Sequence, residues 1–523
     1  MTRRQLRRRE DRRRRGAIFI TAVAIMVILG SLTLVFCMNM RAEALSAANR
    51  VAYIQADAIE QGVEQWILDL CENEAGDTPK ITQQPANAIP VGDGYFWILT
   101  PSQDGDNYYA YGITDECGKI NINKATETSL EMLPGLSDDV EAAGSIVNWR
   151  SSSTATPNAD GDTSEFYEDL PESYEPKNAP FETVEELLMV SQVTPDLLWG
   201  IDLDHNGYVS DQERAISAGD NGVGMPMTMP GMSTPSLTVG GSEDTERGFF
   251  NDVTVFSIDP ATLASDLITP RVSPSATNLA TVLENYTGMA ASQAQPIAAA
   301  ASPVAGAGGG GGAGGGGGAA AAATTTNLYT LYTRMMTAGL TADQFTSIED
   351  YINPTAATGG GGGGAKASTA TTGLVNVNSA SAEVLSCLPL PGGLTLSLDD
   401  ATNIVNQRQS ISPSGIVTTD TDSTWVYSVL ADLTPAQLSS LSSLITGRSF
   451  QYSADIVAVS GNGRGFKRVR IIVDTRTIPA KIVYRKDETD LGWPLPPEIL
   501  DALHGGEELQ TGPNNPDEGI TSF

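Results

Sequence analysis

The residues best placed to do chemistry form one twelve-residue run, Asp202-Leu203-Asp204-His205-Asn206-Gly207-Tyr208-Val209-Ser210-Asp211-Gln212-Glu213. Oxygen-bearing side chains stand at its first, third and fifth positions, glycine at the sixth and glutamate at the twelfth. Calcium needs several hard oxygen ligands, and a glycine at the sixth position allows the sharp turn that gathers them. The pattern therefore predicts a calcium loop of EF type. Asp202, Asp204 and Asn206 would ligate through side chains, Tyr208 through its carbonyl, Ser210 directly or through water, and Glu213 through both carboxylate oxygens. The competing reading is an acidic, solvated turn between helices. The incoming helix is expected at 184–200 and a short outgoing one at 211–218, which suits a structural site rather than a sensor. A second acidic segment, 158–165, has ligand-like spacing at Asp160, Asp162 and Glu165 but no complete template, so calcium and a plain surface loop both stand there.

Other chemistries find little support. The chain has two histidines, His205 and His504, some 300 positions apart, which argues against a serine or cysteine triad and a histidine-rich zinc site. Carboxylate pairs are abundant, but nothing singles one out as an acid/base couple, and no catalytic residue is expected. The four cysteines fit no metal spacing. Cys37 falls in an apolar helix and Cys387 in a helical repeat, while Cys71 and Cys117 could pair after export. Two glycine tracts, 308–318 (broken only by Ala313) and 359–364, precede no Gly-Lys-Ser/Thr, so they read as tethers, not phosphate loops. The formal charge is −32. Nine arginines against Glu10 and Asp11 give the first 16 residues +7 and leave −39 on the remainder. A body that acidic repels phosphates, which argues against nucleic acid as a partner.

The elements that must position the loop begin with the arginine-rich leader. Behind it, residues 17–40 carry no charge, and about 22 mostly apolar residues suffice to cross a ~30 Å hydrocarbon core. The arginines should stay cytoplasmic, placing everything after Met40 beyond the membrane. A helical pattern continues through Leu45, Ala48, Ala52, Ala56, Ile59, Val63, Trp66, Ile67 and Leu70, with Glu43, Asp57, Glu60, Glu64 and Asp69 between them. No proline interrupts 17–71, so one helix of about 55 residues is expected, roughly 80 Å long; the competing reading is two helices with a bend near Asn39. Strand-like runs follow at 95–100 and 108–113, and again at 451–459, 467–474 and 481–484 with a Ser460-Gly461-Asn462-Gly463 turn. A sheet split by more than 300 positions implies an inserted domain.

That insertion contains a repeat. Asn121-Ile122-Asn123-Lys124-Ala125 through Leu133-Pro134-Gly135 to Ile146-Val147-Asn148-Trp149-Arg150 is matched by Val375-Asn376-Val377-Asn378-Ser379-Ala380 through Leu388-Pro389 to Ile404-Val405-Asn406-Gln407-Arg408. Each copy reads as an asparagine cap, a short helix, a Pro/Gly hairpin and a second helix, the form of a helix-hairpin-helix or SAM-like unit. Aspartates after each hairpin (Asp138-Asp139 and Asp399-Asp400) favour the helix N-terminus and oppose phosphate, so the units suit protein packing. The expected fold class is α+β: a pilin-like long N-terminal helix plus an antiparallel sheet, with a large inserted helical domain. The divisions are a leader at 1–16, spine at 17–75, sheet at 90–118, first unit with the calcium loop at 119–285, and a Gly/Ala linker at 286–326. A second unit at 327–447, closing strands at 448–490 and a polar tail at 491–523 complete it.

The chain resembles the type II secretion system protein K family, the large minor pseudopilins. The likeness is carried by Arg15-Gly16/Ala17-Ile18-Phe19-Ile20-Thr21, the Ile120-Asn121-Ile122-Asn123 run and Asp162-Thr163-Ser164-Glu165-Phe166-Tyr167. It continues in Pro180-Phe181-Glu182-Thr183-Val184-Glu185-Glu186-Leu187-Leu188, the second Val375-Asn376-Val377-Asn378 run and the closing strands. The resemblance implies a non-enzymatic protein of the inner membrane with its bulk in the periplasm. It implies cleavage between Gly16 and Ala17 by prepilin peptidase, methylation of the new amine, and calcium in the inserted domain. Implied partners are I- and J-type minor pseudopilins, the major pseudopilin and the inner-membrane secretion platform. Most pilins carry glutamate where this chain has Thr21. A carboxylate without a partner in lipid is costly, so its loss fits a subunit with nothing stacked above it. The glycine tracts and the complete calcium loop depart from the family pattern. The runner-up is a membrane-tethered DNA-uptake receptor using the helix-hairpin-helix units; a tethered hydrolase is discouraged by the missing nucleophile motif.

Overall fold

The computed structural model describes residues 3–74, 78–101, 109–137, 140–152, 154–158, 160–217, 247–302, 327–354, 370–411 and 422–512. The Met/Pro/Gly-rich loop, both glycine tracts and Asp138-Asp139 lie outside them.

A single helix, α1, runs Arg3–Asn73. From Ile20 its apolar stretch has a mean hydropathy of 2.5 and is nowhere covered by the rest of the chain, as suits a single-pass membrane anchor. Packing starts later than the apolar spacing predicts. Leu45 is 44% exposed, and burial sets in at Ala52, followed by Ala56, Ile59, Val63, Ile67 and Cys71. These residues share one helix face, and that face lies on the sheet.

The sheet has seven strands: β1 (Ile89–Val91), β2 (Gly94–Thr100), β3 (Ala110–Tyr111), β4 (Thr114–Asp115), β5 (Gln451–Val459), β6 (Phe466–Asp474) and β7 (Lys481–Asp487). The order is β1-β2-β5-β6-β7, with β3 on β2 and β4 on β5. Every pairing is antiparallel, with Ile456 opposite Ile98 on one side and Val469 on the other. The division between 90–118 and 448–490 is therefore one sheet with a domain inserted between β4 and β5. Alternation sorts its faces. Phe96, Ile98, Ala454, Ile456, Ala458, Val469 and Ile471 pack under α1, whereas Tyr95, Trp97, Leu99, Val457 and Val459 face the opposite way.

That second face corrects the expectation of a polar tail. Pro497–Gly505 is an amphipathic helix whose Ile499 and Leu503 join Leu495 over Trp97 and Val457. The chain stays attached beyond it: the Leu509 amide donates to the Tyr95 hydroxyl (3.1 Å) and the Gly512 amide to the Asn87 carbonyl (3.3 Å).

The inserted domain repeats its hydrogen bonds as well as its sequence. Ile120–Asn121 pairs in parallel with Val253–Thr254, and Val375–Asn376 pairs in parallel with Ile445–Thr446. The Asn121 side chain accepts from the Asn123 amide (2.9 Å) and the Asn376 side chain from the Asn378 amide (3.0 Å). These asparagines form Asx turns ahead of the helices. The caps are instead Thr126, on Glu127–Leu130, and Ser381, on Ala382–Ser386. The longer second helices, Val140–Arg150 and Leu398–Ile411, carry in their last turns arginines that reach back. Arg150 donates to the Ile122 and Ala125 carbonyls, and Arg408 to the matching Val377 (3.2 Å) and Ala380 (2.9 Å) carbonyls. One apolar core, including Ile122, Leu133, Ile146, Val377, Leu388 and Ile404, joins both copies.

A further helical layer corrects the linker assignment. Ala276–Tyr286 and Ala291–Ala301 fold with Leu328–Thr337 and Ala342–Glu349 around Leu283, Ile297, Leu331, Phe345 and Ile348. Residues 291–301 are thus a packed helix, and the alanine-rich composition serves close packing. All four cysteines are free thiols, Cys71 and Cys117 both buried.

Candidate metal centre

The twelve-residue loop folds as a closed turn. Gly207 has φ +80° and His205 φ +56°, left-handed values that glycine adopts without strain and histidine tolerates at a cost. The Asp202 carboxylate accepts the Asn206 (3.1 Å) and Gly207 (2.8 Å) amides. Asp204 accepts the Asn206 amide at 3.1 Å, and the Asn206 side-chain oxygen accepts the Tyr208 amide at 2.7 Å. From the far end Glu213 reaches back, accepting the Leu203 amide (2.9 Å) through one oxygen and the Ser210 amide and hydroxyl (2.8 Å each) through the other.

These bonds bring carboxylate oxygens of Asp202, Asp204 and Glu213 within 4.8 Å of one another, the one such group of three among the described residues. Asp202, Asn206 and Glu213 are buried, at 4%, 7% and 7% exposure. Crowding three acids in a covered site disfavours their ionised forms. Burial foremost, with the charge of Glu213, lifts Asp202 to about 6 against the pull of the Gly207 and Asn206 amides. Burial and the charges of Asp202 and Glu213 lift Asp204 to about 8. Burial, reinforced by Lys486 and Arg468, lowers His205 to about 4, and its ring stacks on Trp199 at 4.4 Å instead of facing the acids. A set of buried hard oxygens fits calcium. Asp202, Asp204, Asn206, Tyr208, Ser210 and Glu213 are the residues that would hold it.

The flanks differ from the expected helix pair. Residues 184–200 split into a 3₁₀ turn, Val184–Met189, and a short helix, Pro195–Trp199. Pro195 cannot continue a preceding helix, and Gln192 between them has φ +67°. The outgoing helix is Asp211–Ser217; residue 218 lies outside the described residues.

The second acidic segment does not gather. Asp160 and Glu165 are exposed, while Asp162 turns inward to accept the Ser191 hydroxyl. Its backbone is fastened to the Val140–Arg150 helix: the Asn148 side chain donates to the Asn158, Gly161 and Asp162 carbonyls (3.0–3.2 Å), and Gly161 lies where a side-chain carbon would overlap Gly144.

Sequence reasoning missed what holds the 202–213 loop from outside. Arg468 on β6, fully buried, donates to the Asp204 carbonyl and to the His205 carbonyl at 2.9 Å. It is held in turn by Asp455 on β5 (3.0 Å) and by Glu488 (3.7 Å). The Asn206 side chain donates to the Pro494 carbonyl at 2.7 Å. Tyr208 stacks on Tyr109 at 4.1 Å. An arginine inside an apolar strand, Val469-Arg470 beside it, was the available signal.

Residues 119–200 and 375–421 each match a family model described as Type II secretion system (T2SS), protein K. Both matches start at the repeated Asx-turn strands. Over these two segments, about a quarter of its length, the chain is similar to the protein K family of type II secretion systems. Among the described residues one helix, α1, is long and apolar enough to cross a membrane, which suits a single-pass anchor. Among solved structures, a chain in the crystal structure of the GspK-GspI-GspJ complex from the enterotoxigenic Escherichia coli Type 2 Secretion System aligns with a TM-score of 0.36 and 8% identity, covering 83% of this chain and 95% of that one. No curated protein matches. The 202–213 loop falls just beyond the first protein K segment.

Proposed function

We propose that this chain is a non-enzymatic minor pseudopilin of the protein K family that caps the periplasmic tip of a type II secretion pseudopilus. The observation that carries the reading is the continuity of α1: one helix leaves the membrane segment and becomes the spine beneath an antiparallel sheet that bears the protein K segments. Such a rod can be buried among like helices when subunits assemble, while the inserted domain obstructs addition above it. Thr21, in place of a carboxylate, removes the partner-seeking charge a further subunit would answer. The first 16 residues would be removed by prepilin peptidase at Gly16/Ala17, and the new amine methylated, in the inner membrane. I- and J-type minor pseudopilins are the partners expected at the tip, with the major pseudopilin below and the secretion platform at the base.

We also propose a structural calcium ion on Asp202, Asp204, Asn206, Tyr208, Ser210 and Glu213, where it would neutralise the crowded acids and fix the loop. Co-purification from detergent tests the assembly: the full chain should be recovered with I- and J-type minor pseudopilins. Failure to associate, together with salt-dependent DNA binding, would favour the DNA-uptake reading instead.

A further inference from the structure

The contacts that leave the 202–213 loop converge on one neighbour. Arg468 takes two successive loop carbonyls, from Asp204 and His205. Pro494, in the segment leading to the C-terminal helix on the sheet, receives the Asn206 side chain. Gly207 lies so close to the end of β2 that a side-chain carbon there would stand 3.1 Å from Pro101 Cα. Tyr208 meets the ring of Tyr109, just before β3. The proposed ligands Asp204, Asn206 and Tyr208 thus also face the sheet, each through a different atom.

Resting on the calcium reading above, we infer that cation binding to this loop docks the inserted domain on the pilin sheet, with Arg468 and Tyr109 as the receiving residues. Two carbonyls can meet one guanidinium only while the backbone between them keeps its left-handed bend at His205. Three carboxylates that repel one another oppose that closed form, and a cation among them favours it. Arg468 is preorganised to receive it, because Asp455 and Glu488 hold its side chain from the sheet side. Coupling of this kind is reciprocal: whatever loosens the docking weakens the metal.

The test uses the full chain in detergent, calcium titration calorimetry, and hydrogen exchange with and without calcium chloride. Calcium should slow exchange in the loop and also in β2 and β6. Tyr109→Ala, which removes a stacked ring but no ligand, should weaken calcium binding about three- to tenfold. Arg468→Met should weaken it further; should that variant fail to fold, the Tyr109 result decides alone. Calcium binding with protection confined to 202–213 and unchanged affinity in Tyr109→Ala would overturn the docking while leaving the metal site standing. A wild-type chain that binds no calcium would overturn both.

Discussion

Replacing Glu213 by Gln separates the metal reading from the acidic-turn reading. The two oxygens of Glu213 serve the Leu203 amide on one side and the Ser210 amide and hydroxyl on the other. A glutamine keeps one acceptor and loses the other, costing about 1 kcal/mol for the impaired bonds. Removing the charge opposes that cost, since Glu213 helps raise the neighbouring Asp202 and Asp204 carboxyls. The metal-free variant should therefore melt within a few degrees of wild type. With calcium the two part. A loop in the affinity range of extracellular calcium modules, Kd about 10⁻⁴–10⁻³ M, gains roughly 0.7–1.8 kcal/mol at about 2 mM calcium, a shift of a few degrees in Tm. Thermal scans of both proteins with chelator and with calcium should show that increment in wild type and not in Glu213→Gln. The same increment in both would refute the assignment.

Three further outcomes follow from the packing. Arg408→Met leaves the Val377 and Ala380 carbonyls without their buried donor and should cost about 2–4 kcal/mol, read by thermal unfolding. Glu60 is buried under the sheet and lifted to about 8, by burial and by Glu64, against the attraction of Arg485. Its folded pKa lies above the unfolded value, so its contribution is fully present below pH 4.5 and is lost as pH rises through 8, by at most about 1.4 kcal/mol per unit. Glu60→Gln should flatten that part of the pH–stability curve; an unchanged slope contradicts the burial argument. Truncation after Gly492 uncovers Tyr95, Trp97, Leu99 and Val457, and should bring dye binding and aggregation; a truncated chain as soluble as the full one would show that the C-terminal helix is dispensable.

Much of this fold was legible because its elements repeat with a clear period. The spine showed three- and four-residue spacing, and β5 and β6 showed as apolar runs around a glycine turn. The two inserted copies announced themselves by identical Asn-x-Asn runs. Elements whose logic is tertiary were hidden. Glu60 and Glu64 stood in sequence only as charges between the apolar positions, yet Arg485 of β7 bonds to both (3.2 and 2.7 Å) and draws them under the sheet. The two-residue strands Ile120–Asn121 and Ile445–Thr446 are too short to carry a period and exist only because parallel partners lie beside them. The C-terminal helix could have been read: Leu495, Ile499 and Leu503 recur every four residues, Pro497 stands in its first turn and Gly506 caps it at φ +79°. In the 202–213 loop the oxygen-bearing residues and the glycine were plain in sequence. The grip of Arg468, more than 250 positions away, was not.

Intact-mass and N-terminal peptide analysis of the protein recovered from its native membrane bears most directly on the pseudopilin assignment. The mature chain should begin at Ala17, with its amine methylated and the apolar helix retained. A chain that keeps its arginines, or one that starts beyond Met40, would contradict it.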